Sequence, residues 1–171
     1  MLAMLVEHEE EIAARLQAKP VQEWGIPYER FQADQAALMS LFQFMIGNTD
    51  WDLQSCRNIL VLQPMDNSKM VTVPFDFDFS GLVSAPYASP NSESGLRHVQ
   101  DRYLMAKGMD QDAMLRAKDT ILAAKPALMR WCGSVQMSAE SSAYMQEYLD
   151  LFFTKLAGST EIPGRMEVGK K

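Results

Sequence analysis

The stretch from Arg30 to Ile46 constrains this chain more than any other. Phe31, Leu38, Leu41, Phe42 and Met45 recur near the 3.6-residue period, and Phe44 and Ile46 widen the apolar stripe. A helix apolar over so much of its circumference belongs in the interior, so the spacing predicts a central, largely buried helix. Gly47-Asn48 ends it, glycine being the residue that closes a helix at least strain. The rest of the chain has to cover that helix. A length of 171 residues fits one domain, or one lobe of a larger one, and 47% hydrophobic residues supply the core.

The flanks read as follows. MLAMLV at the start is apolar but only six residues long and lacks a positive leader, so it reads as a buried strand or the end of one. It runs into a helix, Glu9 to Gln17, with Ile12, Ala13 and Leu16 on one face. A chain that opens in mid-strand points to a longer protein. Lys19 to Tyr28 (KPVQEWGIPY) carries two prolines and a glycine and reads as a connector. After the central helix, Asn48 to Arg57 is polar and irregular. Asn58 to Gln63 reads as a strand, Asp66-Asn67-Ser68 as a turn, and Lys69 to Phe79 as the returning strand of a hairpin. Gly81 to Glu93 is a long loop. Helices are expected over Ser94–Lys107, Asp110–Ala124, from Pro126 onward, and over Ala139–Ala157 with Ser138 as its cap. The fold class expected is α+β, mostly helical: a central buried helix, one β-hairpin and a C-terminal helical bundle. Residues 1–18 form a strand end and first helix, 19–157 the body, and 158–171 a flexible tail rich in breakers.

Charge narrows the function. Lys plus Arg is 16 against 22 for Asp plus Glu, a net charge of −6. That argues against nucleic acid held by counterion release and against an anionic membrane surface. No apolar run reaches the roughly 18 residues of a membrane helix, and the cytoplasm is the default compartment. Cys56 and Cys132 make no disulfide framework and lack zinc-ligand spacing. The 13 methionines sit in helical or apolar contexts and read as core filler. Trp24, Trp51 and Trp131 read as structural.

The concentrated chemistry lies in the polar loop and hairpin. Asn48, Asp50, Asp52 and Asn58 fall within eleven residues, and Asp76 and Asp78 follow, two apart, at the end of a strand. Strand alternation puts those two carboxylates on one face, with Phe75, Phe77 and Phe79 turned to the core. Carboxylates with an amide oxygen suit Mg2+ or Mn2+ bound together with substrate phosphates. Each residue also has an ordinary reading. Asp50 could cap a helical turn, Asn58 could sit in an Asx turn, and Asp76 with Asp78 could be the solvated face of an edge strand. Set against the last of these, two carboxylates beside so much apolar surface call for a compensating cation. His98, in LRHVQDRY, reads chiefly as part of an exposed helix with local ion pairs.

The order GNTDW, then RNILVL, then VPFDFDFSG resembles the catalytic half of the protein-kinase-like fold, where a loop Asp and Asn precede a hairpin and a metal-binding Asp. It is most similar to the atypical, CotH-like group (spore-coat kinase and HipA-like relatives), whose PWDxD-type segment is like PFDFD here. The resemblance covers about Phe42 to Gly81. It implies a kinase-like C-terminal lobe, phosphoryl transfer from ATP to an unknown hydroxyl acceptor, and Mg2+ or Mn2+ as cofactor. Carried over, Asp50 is the catalytic aspartate and Asn58 with Asp76 or Asp78 the metal ligands; Asn48 joins the nucleotide-binding residues. The Asp-to-Asn spacing is eight instead of five, and Asp52 competes with Asp50. The template's glycine-rich loop and strand lysine do not occur in the sequence. An N-terminal lobe or partner chain is therefore expected to supply them, with Glu9, Glu10 and Glu11 as candidates for the lysine's glutamate. The alternative is a non-catalytic remnant serving as an interaction module; a metal-dependent hydrolase is weaker, because His8 and His98 lie outside the cluster.

Overall fold

The computed structural model describes residues 7–134 and 137–167. The expected strand at Met1–Val6 lies outside them. The fold is α+β and mostly helical, as the apolar periodicity predicts. In chain order it runs α1 (Glu9–Arg15), β1 (Ala18–Pro20), a 3-10 turn at Tyr28–Arg30, α2 (Ala33–Ile46), β2 (Ile59–Pro64) and β3 (Val71–Pro74). A second 3-10 turn at Ser92–Ser94 follows, then β4 (Arg102–Tyr103), α3 (Gln111–Ser134), α4 (Ala139–Ala157) and β5 (Arg165–Met166).

Helix α2 is the buried axis. Nine of its 14 residues are buried, among them the polar Ser40 and Gln43. It stops at Gly47, whose φ of 67° is left-handed and whose N–H bonds the Phe44 carbonyl. Its lower face packs α3 and α4 around Leu41, Phe44, Met45, Ile121, Phe152 and Phe153. Phe44 meets Phe152 edge-on at 5.8 Å. The other face covers the sheet through Phe31, Trp51, Ile59, Val61 and Met70.

The sheet is larger than a hairpin. It is antiparallel in the order β1-β2-β3, with Ala18 opposite Pro64 and Ile59 opposite Pro74. The third strand comes from the segment read as a connector. Pro20 marks that stretch as broken, yet proline is tolerated on an edge strand, and β1 is an edge. The strand expected over Lys69 to Phe79 keeps only Val71–Pro74. Asp76 takes a left-handed φ of 56°, which ends the alternation before the two carboxylates.

Three further expectations are corrected. Ser94–Lys107 is no helix: its backbone is claimed elsewhere, by β4 pairing with β5 and by Leu104 N–H bonding the Gly164 carbonyl. Pro126 starts no new helix but lies inside α3, whose core contacts on both sides, Ile121 and Cys132, are buried. The tail is held as far as β5, where Met166 is buried. Trp51 is buried as expected, but Trp24 and Trp131 are exposed. Among the described residues no helix is long and apolar enough to cross a membrane.

Candidate functional site

The C-terminus of α2 launches the loop that carries Asp50. Asn48 anchors the launch: its Nδ2 donates to Gln43 Oε1 at 3.0 Å, and its Oδ1 accepts the Asp50 N–H at 2.9 Å. Trp51 Nε1 donates to the Asn48 carbonyl at 3.2 Å. Asn48, expected among the nucleotide-binding residues, is fully buried with both ends of its amide engaged. It positions Asp50. Gln43 is a residue the sequence reading missed. Its Nε2 is buried with no hydrogen-bond partner among the described residues, directly beneath this loop.

Asp50 and Asn58, eight apart in sequence, meet in space. Asn58 Nδ2 donates to the Asp50 carbonyl at 2.7 Å and to Asp50 Oδ2 at 3.0 Å. The closure between them is a tight one. Asp52 and Arg57 exchange both backbone hydrogen bonds at 3.0 Å, while Cys56 and Asn58 each stand at φ 53°. Left-handed non-glycine residues are sparsely populated and cluster at functional sites. Asp52, the competing candidate, caps its own turn by accepting the Ser55 N–H at 2.6 Å, and its charge adds to the burial that chiefly weakens the acidities of Tyr28 and Cys56. Asp50 therefore is the loop carboxylate on the side of Asp76.

Asp76 and Asp78 come together through a turn, not through strand alternation. The Asp76 carboxyl is pushed above the usual range, first by desolvation, then by the hydrogen bond it shares with Asp78 and the charges of Asp78 and Asp50. The backbone N–H of Asp78 pulls it partway back. Asp76 thus feels both other carboxylates. Tyr87, also missed, hydrogen-bonds the Asp78 carboxyl; that contact and the Asp78 charge raise the pKa of its hydroxyl. The flanking phenylalanines do not all face the core. Phe75 is exposed, Phe77 is half-buried edge-on to Phe42 at 5.7 Å, and Phe79 is half-buried against Tyr87 at 5.9 Å.

Beside this cluster is a concavity of about 320 Å3 with mixed polar and apolar walls. Glu9, Val21, Trp24, Cys56, Leu60 and Phe75 line it, and Phe75 N–H bonds the Asn58 carbonyl at 3.1 Å. Glu9, Glu10 and Glu11 are all exposed; Glu9 is the one at this rim. His98 is exposed in a loop and apart from these contacts.

The donors are oxygens, which fits a hard cation. Among the described residues no three His, Cys, Asp or Glu side chains form a group able to hold a metal ion. Two carboxylates are nevertheless the usual protein share of an Mg2+ site, the remaining ligands being water and substrate phosphates. Asp76 and Asp78, with Asn58 nearby, have that chemistry. Comparison with family models, with curated proteins and with solved structures found no match to the chain.

Proposed function

We propose that this chain is the metal- and phosphate-binding lobe of an atypical, CotH-like kinase, transferring a phosphoryl group from ATP to a hydroxyl acceptor. The observation that carries the reading is the meeting of Asp50 with Asn58, 3.0 Å apart, on the side where Asp50's charge reaches Asp76. Asp50 orients or deprotonates the acceptor hydroxyl. Asp76 and Asp78, with Asn58, hold Mg2+ or Mn2+, which supplies charge neutralisation at the phosphates. The concavity at Trp24 and Phe75 takes the nucleotide base. ATP as donor goes with a cytoplasmic setting. A glycine-rich loop and a strand lysine come from an N-terminal lobe or a partner chain, and the exposed apolar rim at Trp24 suits such a neighbour.

Thermal melting with and without millimolar Mg2+ or Mn2+ tests the reading. The cation raises the melting temperature of the parent. Asp76→Asn with Asp78→Asn removes the gain. A double variant that gains as much as the parent sinks the metal site.

One observation favours a second reading. Trp24 is 81% exposed at the rim of that concavity, as suits an interaction module without catalysis. The same titration separates the two, because a module of that kind gains nothing from the cation.

A further inference from the structure

Arg57 has no part in the site so far, yet the structure aims it there. Its backbone is pinned by the paired hydrogen bonds with Asp52 and lies between two left-handed residues, Cys56 and Asn58. The side chain is what remains free to move. Its Nε stands 3.4 Å from Asp50 Oδ1, while Asn58 Nδ2 holds Oδ2 at 3.0 Å. Both oxygens of the proposed catalytic carboxylate are therefore occupied in the free protein.

That occupation is loose on the arginine side. The Arg57 side chain is 45% exposed and that of Asp50 35%, and a single exposed contact between such groups contributes little. A guanidinium carries five donors in a planar fork that matches a phosphate far better than one long contact does. The electrostatics point the same way. Asp50, Asp76 and Asp78 form a negative field that a polyphosphate must enter, and one divalent cation does not cancel three carboxylates and a triphosphate.

Resting on the phosphotransfer reading, we propose that Arg57 is a phosphate-binding residue, parked on Asp50 in the free protein and moving to a phosphoryl oxygen of the nucleotide on binding. The move does two things at once. It neutralises charge on the transferring group, and it frees Asp50 Oδ1 to receive the acceptor hydroxyl. Asp50 is then unmasked only when a phosphate is present, which limits idle proton traffic at an empty site.

The probe is inorganic triphosphate with Mg2+, followed by calorimetry on the full chain. Arg57→Gln is expected to weaken triphosphate binding by about ten- to hundredfold, the loss of one charged hydrogen bond. Arg57→Lys keeps the charge without the fork and is expected to fall between the two. Mg2+ alone binds Arg57→Gln at least as tightly as the parent, because a competing positive charge is gone. Unchanged melting without ligand verifies the fold of both variants. Equal triphosphate affinity in Arg57→Gln and parent overturns the proposal and leaves Arg57 a surface ion pair. Failure of the underlying reading looks different: the parent itself shows no Mg2+-dependent triphosphate binding, and the role of Arg57 falls with it.

Discussion

Asp76 combines two unusual features, a left-handed backbone at φ 56° and a carboxyl held above its usual range by desolvation and by Asp78 and Asp50. The sign of its effect follows from linkage. The folded state keeps a proton that the unfolded chain releases near pH 4, so the contribution is fully present below that value and is lost as pH rises through the raised folded one. Asp76→Asn removes the charge and keeps a side chain that tolerates the left-handed region. It is expected to raise the metal-free melting temperature at pH 7 by about 1–2 °C and to flatten stability between pH 4 and 7. A melt series across that range checks it; a lower melting temperature at pH 7 refutes the repulsion. The four chemistry-bearing positions Asp50, Asn58, Asp76 and Asp78 were legible because their residue types stand out in a polar stretch. Gln43, Arg57 and Tyr87 were not. A glutamine on an apolar helix, an arginine in a loop and a tyrosine in a long connector become informative only once the fold brings them to the carboxylates.

Among the elements, α2 and α4 were legible to within a few residues, because apolar period and cap residues agreed: Ser138 accepts the Ser141 N–H at 3.0 Å, and Gly47 closes α2. Ser94–Lys107 was misread since its residues favour a helix locally, while the pairings of β4 and Leu104 settle it otherwise. Pro126 was misread in the opposite sense. A proline inside a helix removes one backbone bond and crowds the preceding turn, a penalty of about 3 kcal/mol in a free helix. Here α3 continues because Ile121 and Cys132, on either side, are both anchored in the bundle. Pro126 itself is exposed, so Pro126→Ala sacrifices no core contact. It is expected to stabilise the protein by about 1 kcal/mol or more, read as a higher urea midpoint at unchanged slope. A lower midpoint would show that the break in the hydrogen-bond ladder is needed for the packing of α3.

At the scale of the whole molecule, Arg102 ties the halves together. It is fully buried, where the sequence reading had an exposed helix. Its Nε donates to the Met45 carbonyl at 3.0 Å and its Nη2 to the Tyr148 carbonyl at 2.7 Å. Its guanidinium lies 3.6 Å above the Tyr148 ring. Burial lowers its pKa, and its Nη1 has no hydrogen-bond partner among the described residues. A buried cation joining the end of α2 to the middle of α4 cannot be foreseen from LRHVQDRY, since each partner is a backbone oxygen more than forty residues away. Arg102→Ala leaves two carbonyls unpaired around a cavity and is expected to destabilise the chain by about 3 kcal/mol or more, measured by denaturant unfolding. A loss under 1 kcal/mol would mean that the bundle holds without it. Tyr148, under that same guanidinium, carries a consequence for how this sequence can evolve. A Cβ at Gly47 or at Gly81 would run into the Tyr148 hydroxyl, so neither glycine can be enlarged while that oxygen is in place. Tyr148→Phe removes the severe clash at position 47, where the ring Cζ at 3.3 Å and the left-handed φ still press, but leaves position 81 shut against the Val99 carbonyl and the Gln100 Cα. The order of substitutions is thereby constrained: drift at 47 has to pass through 148 first, and the glycine that follows Asp78 stays fixed along either route.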